Sequence, residues 1–226
     1  MSLMPLKTTG YDDIVQKYPE LRKLIDAYNE NFRRIYMTYL QDAALIPGAG
    51  MTDLFRYRQI GLYYGSAIVA QDLGSFTATA NSLDVTMFSV PVAQNFDRMA
   101  VNVQTGVAGS SCRMGVYSAG STFYPGSLVL DAGAVDTVTA GVREVTVNMK
   151  LSPGLYWLAL LFSHTPTMSG FNPATMPGVG ISAADSLTVA SAWRSAVTFG
   201  PMPATYPAGA SLISGGRPSL LLRRSV

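Results

Sequence analysis

Two rhythms of apolar residues divide this chain. Between Tyr11 and Leu40 apolar side chains recur at Ile14, Tyr18, Leu21, Ile25, Tyr28, Phe32, Ile35 and Tyr39, in alternating steps of four and three. That spacing keeps one face of a helix apolar and is the heptad seam of a coiled coil. Proline is tolerated in a first helical turn and breaks a helix interior. The pattern therefore predicts a short helix over Asp12–Tyr18 and a main helix opening at Pro19 and running to about Ala44, stopped by Pro47 and the glycines of "DAALIPGAG". Leu21, Ile25, Tyr28, Phe32, Ile35 and Tyr39 are the candidate oligomerisation contacts. The same periodicity describes an amphipathic helix lying on its own domain, and periodicity alone leaves both readings open.

From about Phe76 the period becomes two. Candidate strands are Ser82–Val92, Arg98–Gln104, Cys112–Ser118, Leu128–Gly133, Arg143–Met149, Gly154–Phe162, Leu187–Ser191, Ala196–Phe199 and Ser219–Arg224. Gly, Ser, Pro and Asp punctuate them at the roughly 8–12-residue spacing of a β-sandwich. Met99, Val101 and Val103 face one way, as do Val145, Val147 and Met149, so these strands bury one face and wet the other. The stretch "LSPGLYWLALLFSH", Leu151–His164, differs: both faces of its apolar run are hydrophobic. It is far shorter than the ~20 residues of a membrane span and reads as a strand buried inside the sandwich or at a subunit contact. Residues 165–181 and 200–217, rich in Pro and Gly, predict long loops at one rim. The organisation expected is a helical oligomerisation or attachment segment (1–50), a connector (51–75) and a β-sandwich display domain (76–226). The N-terminus shows no basic stretch followed by an apolar one, so no signal peptide is expected.

Charged residues make up 13% of the chain, against the usual ~25%. The formal net charge of +2 gives no field able to hold a nucleic acid backbone. The single cysteine, Cys112, cannot form an intrachain disulfide and reads as a buried, inert thiol in a strand. His164 is the only histidine, with Ser163 and Thr165 beside it and no local nucleophile–carboxylate pattern. Metal-ligand spacing, a phosphate-binding loop around Gly48–Gly50 and a G-x-S-x-G elbow are all lacking. Asp84, Asp97, Asp131, Asp136, Glu144 and Asp185 are the acidic stock of the sandwich. Asp131 and Asp136 bracket "AGAV" and are expected in a turn. No catalytic residue, cofactor or metal is predicted.

Two stretches carry a family resemblance. "YPGSLVLDAGAVD" (Tyr124–Asp136) and "LSPGLYWLALLFS" (Leu151–Ser163), flanking "GVREVTVNMK", resemble a β-sandwich module of tail-fibre and other virion-surface proteins of tailed bacteriophages. The resemblance covers residues 82–163 well and the closing "RPSLLLRRSV" loosely. It implies a mainly-β fold, a jelly-roll-like antiparallel sandwich, preceded here by the coiled-coil-like helical segment. It also implies display on a virion assembled in the host cytoplasm, as a homotrimer attached to tail, baseplate or capsid proteins, with no enzymatic residues. Tyr156 and Trp157 point to opposite faces of one strand, one toward the core. On this reading the module adheres to host-surface glycan, and Tyr124, Phe171, Trp193 and Tyr206 are candidate stacking residues, ordinary packing being the other account of them. The alternatives are a capsid decoration or cement protein and, least supported, a polysaccharide depolymerase. Neither nucleic acid nor membrane insertion is expected.

Overall fold

The computed structural model describes residues 58–66, 74–120, 122–172, 176–181 and 189–226. The predicted helices and the seam residues Leu21, Ile25, Tyr28, Phe32, Ile35 and Tyr39 lie outside the described residues.

The described chain is mainly β. In order it forms β1 (Tyr63–Tyr64), β2 (Gly74–Thr77), β3 (Ser82–Val90), β4 (Gln94–Thr105), β5 (Ser111–Ala119), β6 (Pro125–Asp136) and β7 (Gly141–Leu151). There follow β8 (Gly154–Phe162), β9 (Thr167–Phe171), β10 (Gly180–Ile181), β11 (Val189–Ala196), β12 (Ser211–Ser214), β13 (Arg217–Pro218) and β14 (Leu221–Ser225). Every pairing between these strands is antiparallel, and four of them nest: β5 with β6, β4 with β7, β3 with β8 and β2 with β9. The members deal alternately into two sheets. One contains β2, β9, β4 and β7, the other β3, β8, β5 and β6. A ribbon of four nested pairs rolled into two facing sheets is consistent with a jelly-roll-like fold.

Two additions extend this frame. β11, with β10 and β12, prolongs the second sheet beyond β3. β13 and β14 form a wedge in the first sheet: Arg217–Pro218 pairs β9, and Leu221–Ser225 pairs β4. Past the wedge β4 and β9 meet directly at Val103↔Met168. Residues 58–66, from the stretch read as a connector, run along the outer side of β14, where β1 pairs with it. Arg58 is buried there; its Nη2 donates to Ser89 O at 2.9 Å, and its guanidinium lies 4.2 Å from the Phe88 ring centroid. Burial lowers its pKa to about 10.

The alternation of apolar residues sets two layers of core. Phe88, Phe96, Met99, Val101, Met114, Val116, Leu158, Leu160, Phe162, Met168 and Leu222 fill the space between the sheets. Leu83, Val85, Tyr117, Trp157, Ala159 and Leu161 emerge on the other face of β3, β8 and β5, and pack there with Met202 and Tyr206. β8 therefore buries both faces. Trp157 belongs to the outer layer at 0% exposure, while half-buried Tyr156 packs toward the inter-sheet core.

Several expectations are corrected. Residues 165–181 contain β9, an inner strand of the first sheet; "TMSGF" offers one bulky inward residue, Met168, and so lacks a strand's apolar signature. Residues 200–217 are no rim loop: they cross the outer face of the second sheet and contribute β12 and β13. Leu187–Ser191 and Ala196–Phe199 are replaced by the single strand β11. Asp131 lies inside β6, paired with Arg113, rather than in a turn, and Asp136 is the last residue of that strand, 3.4 Å from Arg143.

The long edges are guarded. β6 has several register shifts against β5, and its free side is bonded at the start, where Leu128 N donates to Ala204 O at 2.8 Å and Tyr206 N to Gly126 O at 2.9 Å. β7 is shifted against β4 at Phe96/Arg98. Bulges and covering segments of this kind stop a sheet from adding foreign strands at its edge.

Candidate functional site: the strapped aromatic face

The most elaborate side-chain arrangement among the described residues lies on the outer face of the second sheet, where residues 197–210 form a strap. Its fastening starts at Asn81, which tolerates φ +53° as asparagine often does. Asn81 O accepts from Val197 N at 3.1 Å and Asn81 Oδ1 from Phe199 N at 2.9 Å. Tyrosines then fasten the strap, two from the sheet side and one from the strap itself. Tyr117 OH donates to Pro203 O at 2.9 Å, Tyr206 OH to Leu83 O at 2.9 Å, and Tyr124 OH to Pro207 O at 2.5 Å. Tyr124 OH also accepts from Ala210 N at 3.0 Å. Two of the acceptors are carbonyls of strap prolines, Pro203 and Pro207. Met202 plugs the layer; a Cβ on Gly115 would come within 2.3 Å of its sulfur, so a strand residue without a side chain is what admits it.

Three of the four aromatic candidates meet here. Tyr124 lies edge-on to Trp193, centroids 4.8 Å apart, and to Tyr206 at 5.7 Å; Tyr117 meets Tyr206 at 5.5 Å. Tyr206 is 3% exposed and Tyr124 and Trp193 are half-buried, so their rings pack mainly against each other and the strap. Burial, with the nearby Asp84 carboxylate, raises the Tyr206 pKa; burial and then Asp131 raise that of Tyr117. Phe171 is elsewhere, at the end of β9 in the first sheet, with its ring over Gly65. Tyr117 and Trp157 belong to the same layer but sit in strand centres, where a sequence shows only core. The signal that could have found them is the two-sided hydrophobicity of β8 itself.

The described carboxylates of the sandwich, Asp84, Asp97, Asp131, Asp136 and Glu144, are committed to structure, and Asp185 lies outside the described residues. Asp84 receives Arg194 Nε at 2.6 Å and Nη2 at 2.5 Å; Asp97 receives Arg223 at 2.9 and 2.7 Å in the same forked geometry. Arg223 thus closes the β4–β14 strand pair. Asp136 lies 3.4 Å from Arg143, and Glu144 accepts from Tyr63 OH. Asp131 does most: it accepts from Arg113 Nε at 2.8 Å through both oxygens, from Gly133 N at 3.0 Å, and from Met202 N at 3.0 Å. Asp131 thereby ties β5, its own strand and the strap together.

Its titration gives a testable consequence. Burial alone raises the Asp131 pKa, but the hydrogen bonds from Met202 N, Arg113 and Gly133 N outweigh it and hold the carboxyl below its ordinary value. A lowered folded pKa gives stability that is full above the unfolded value of about 3.9 and is lost as pH falls through the folded one. Asp97, lowered by its hydrogen bond with Arg223, acts in the same sense. Replacing Asp131 with Asn removes the charge and one acceptor, and is expected to cost about 1.5–3 kcal/mol at neutral pH, as for other hydrogen bonds to a charged group. Chymotrypsin should then cut after Phe199, and the acid limb of the melting profile should flatten. An unchanged protease pattern together with an unchanged pH profile would count against Asp131 as the tie.

Ser163, His164 and Cys112 are the reactive groups to weigh among the described residues. Ser163 Oγ is 2.9 Å from His164 Nδ1, but the same hydroxyl accepts from Ser111 N at 2.9 Å. Cys112 is fully buried, which pushes its thiol pKa up and leaves it unreactive. Among the described residues no three His, Cys, Asp or Glu side chains come together to hold a metal ion. A cleft between the sheets, lined by Asp84, Thr86, Leu158, Leu160, Phe162, Arg217 and Pro218, is water-sized. Among the described residues no helix is long and apolar enough to cross a membrane.

No family model matches the chain, and no curated protein does. Solved structures of infectious bursal disease virus, Gx and Gt strains, are similar at 13% and 11% identity with TM-scores of 0.31 and 0.30. Each match covers 73% of this chain and 40% or 41% of the other, so the chain spans about two-fifths of the length of those chains. The expected tailed-phage tail-fibre module is corrected by these results: the virus structures found are not of tailed phages, no family model for such a module matches, and the adhesin assignment built on Tyr124–Asp136 and Leu151–Ser163 falls with it.

Proposed function

We propose that this chain is a non-enzymatic structural subunit of a virus particle, a shell or shell-decorating component that works by packing against its neighbours. The observation that carries the reading is the nested sandwich with its surfaces already committed: four rolled pairs, guarded edges, a strapped outer face, and carboxylates bound to arginine or tyrosine. Sandwiches of this kind serve in capsids, and also in lectins and metal-binding cupins; the described residues offer no ligand cluster for the last. Fold alone does not decide function. What favours a packing role is a chain with 13% charged residues, in which described pairs such as Arg113–Asp131, Arg194–Asp84 and Arg223–Asp97 serve the sandwich's own architecture. In this reading the heptad seam from Leu21 to Tyr39 holds copies together as a trimer, and the sandwich meets other virion proteins.

The test is to locate the protein in purified particles by electron microscopy, with light scattering of the free protein. The expected result is a repeated position in the shell and an assembly near three times 24.1 kDa. A position at a tail tip, or release of reducing ends from host polysaccharide by the pure protein, overturns the proposal.

A further inference from the structure

β3 turns alternate side chains to opposite faces of the second sheet. Leu83 and Val85 lie under the strap, while Phe88 belongs to the core between the sheets. Asp84 and Thr86 share the face of Phe88 and enter the inter-sheet space. There they line the water-sized cleft with Leu158, Leu160 and Phe162 of β8 and with Arg217 and Pro218 of β13. Polar groups of both sheets thus meet against the apolar wall of β8.

The hydrogen bonds of these polar groups do not close among themselves. Arg217 Nη2 donates to Ser214 O at 2.7 Å and Nη1 to Gly216 O at 3.3 Å, but its Nε is shut off from solvent with no acceptor among the described residues. Thr86 Oγ1 accepts from the buried Ser66 hydroxyl at 2.6 Å, which leaves its own O–H to donate. Asp84 receives the fork of Arg194. A carboxylate offers about four lone-pair sites, so this one can accept further bonds. Burial lowers the Arg217 pKa, and the charges of Asp84 and Arg194 act on it in opposite senses, so the three groups share one electrostatic neighbourhood.

We propose that this cleft is the binding site of one internal water, which accepts from Arg217 Nε–H and Thr86 O–H and donates to Asp84. The space is that of about one water molecule, and about three hydrogen bonds is the usual complement of a buried water. The chemistry of the lining selects water over ions. An anion could take both donors but would face the Asp84 carboxylate. A cation could take Asp84 but would face two guanidinium groups. A molecule that both accepts and donates suits all three partners. Arg217 then acts as a joint: its Nη groups hold the link between β12 and β13, and its Nε, through the water, holds β3 of the facing sheet. The inference is independent of the shell reading, because it concerns the interior of a single chain.

Two measurements on the full-length protein test it. A crystal structure from bromide-containing solution locates the occupant, and oxygen-17 relaxation dispersion counts long-lived internal waters in solution. The expected peak is a water about 2.7–3.2 Å from Arg217 Nε, Thr86 Oγ1 and an Asp84 oxygen, without anomalous signal from bromide. Thr86→Val removes the hydroxyl and should lower the solution count by one water. Thr86→Ser keeps the hydroxyl and should hold the count of the parent. Arg217→Met, which removes Nε and keeps an unbranched stem, is the second variant with the same expected loss, circular dichroism reporting that each variant is folded. Bromide in the cleft, no water there, or Arg217 Nε bonded directly to Asp84 overturns the proposal. So does a folded Thr86→Val or Arg217→Met protein that keeps the parent's full count.

Discussion

Deleting Arg217–Val226 is expected to leave a chain that reaches no cooperative native state, as judged by loss of near-ultraviolet circular dichroism and of a sharp melting transition. The segment is an inner strand of the first sheet, not an addition to its edge. Its removal strips the ladder partners of β4 from Asn95 to Ala100 and those of β9 at Gly170 and Phe171, and leaves β1 with nothing to pair. Leu220 and Leu222 go with it, and full burial of a leucine is worth about 1.5–3 kcal/mol. Newly exposed ladder groups add to that, against a total stability of about 5–15 kcal/mol for a domain. The point variant Leu222→Ala removes one anchor and keeps the strand; it should cost about 2–5 kcal/mol by the usual cavity penalty and still fold. A deletion mutant that melts cooperatively within a few degrees of the parent would show that the wedge is dispensable.

The wedge was only partly legible beforehand. "RPSLLLRRSV" reads as a strand, but nothing local says that it inserts between strands far earlier in the chain, because β-pairing partners are chosen by non-local packing. Strands with clean alternation were readable: Met99, Val101 and Val103, and Val145, Val147 and Met149, fall where period two places them. β9 was not, since Ser169 and Gly170 give its middle no apolar weight and its stability comes from neighbours on both sides. The strap was misread for a related reason. Pro201, Pro203, Pro207 and Gly209 look like loop, and they form no regular element, yet Met202 and Tyr206 are buried at 5% and 3% exposure. The evidence for a cover lay elsewhere, in β3 and β8. Leu83, Val85, Trp157 and Leu161 alternate with inward-facing residues, so both faces had to be shielded. Of the aromatic candidates, Tyr124, Trp193 and Tyr206 were placed together by the fold, while Phe171 went to the other sheet.

Replacing Trp157 should separate two effects that burial combines. The ring is fully buried under the strap, opposite Met87 on β3 and Tyr117 on β5, with Phe123 edge-on at 5.8 Å. Truncation to Ala empties the largest buried side chain of the molecule's described part, and is expected to cost about 3–5 kcal/mol. Yet the indole Nε1 is buried with no acceptor, and an unsatisfied polar group costs about 1–3 kcal/mol relative to a paired one. Trp157→Phe removes that donor and keeps most of the apolar ring, so the lost volume and the relieved N–H oppose each other. Its stability should fall within about 1.5 kcal/mol of the parent, as for other tolerated hydrophobic swaps. Chemical denaturation gives both values, and Trp193, the other tryptophan, then reports strap docking by fluorescence alone. In the Ala variant Trp193 emission should shift toward that of a solvated indole, because Tyr124 and Tyr206 lose the layer that backs them. If the Phe variant is as unstable as the Ala variant, then filling the strapped layer is not what Trp157 contributes, and the account of this face as a closed second core fails.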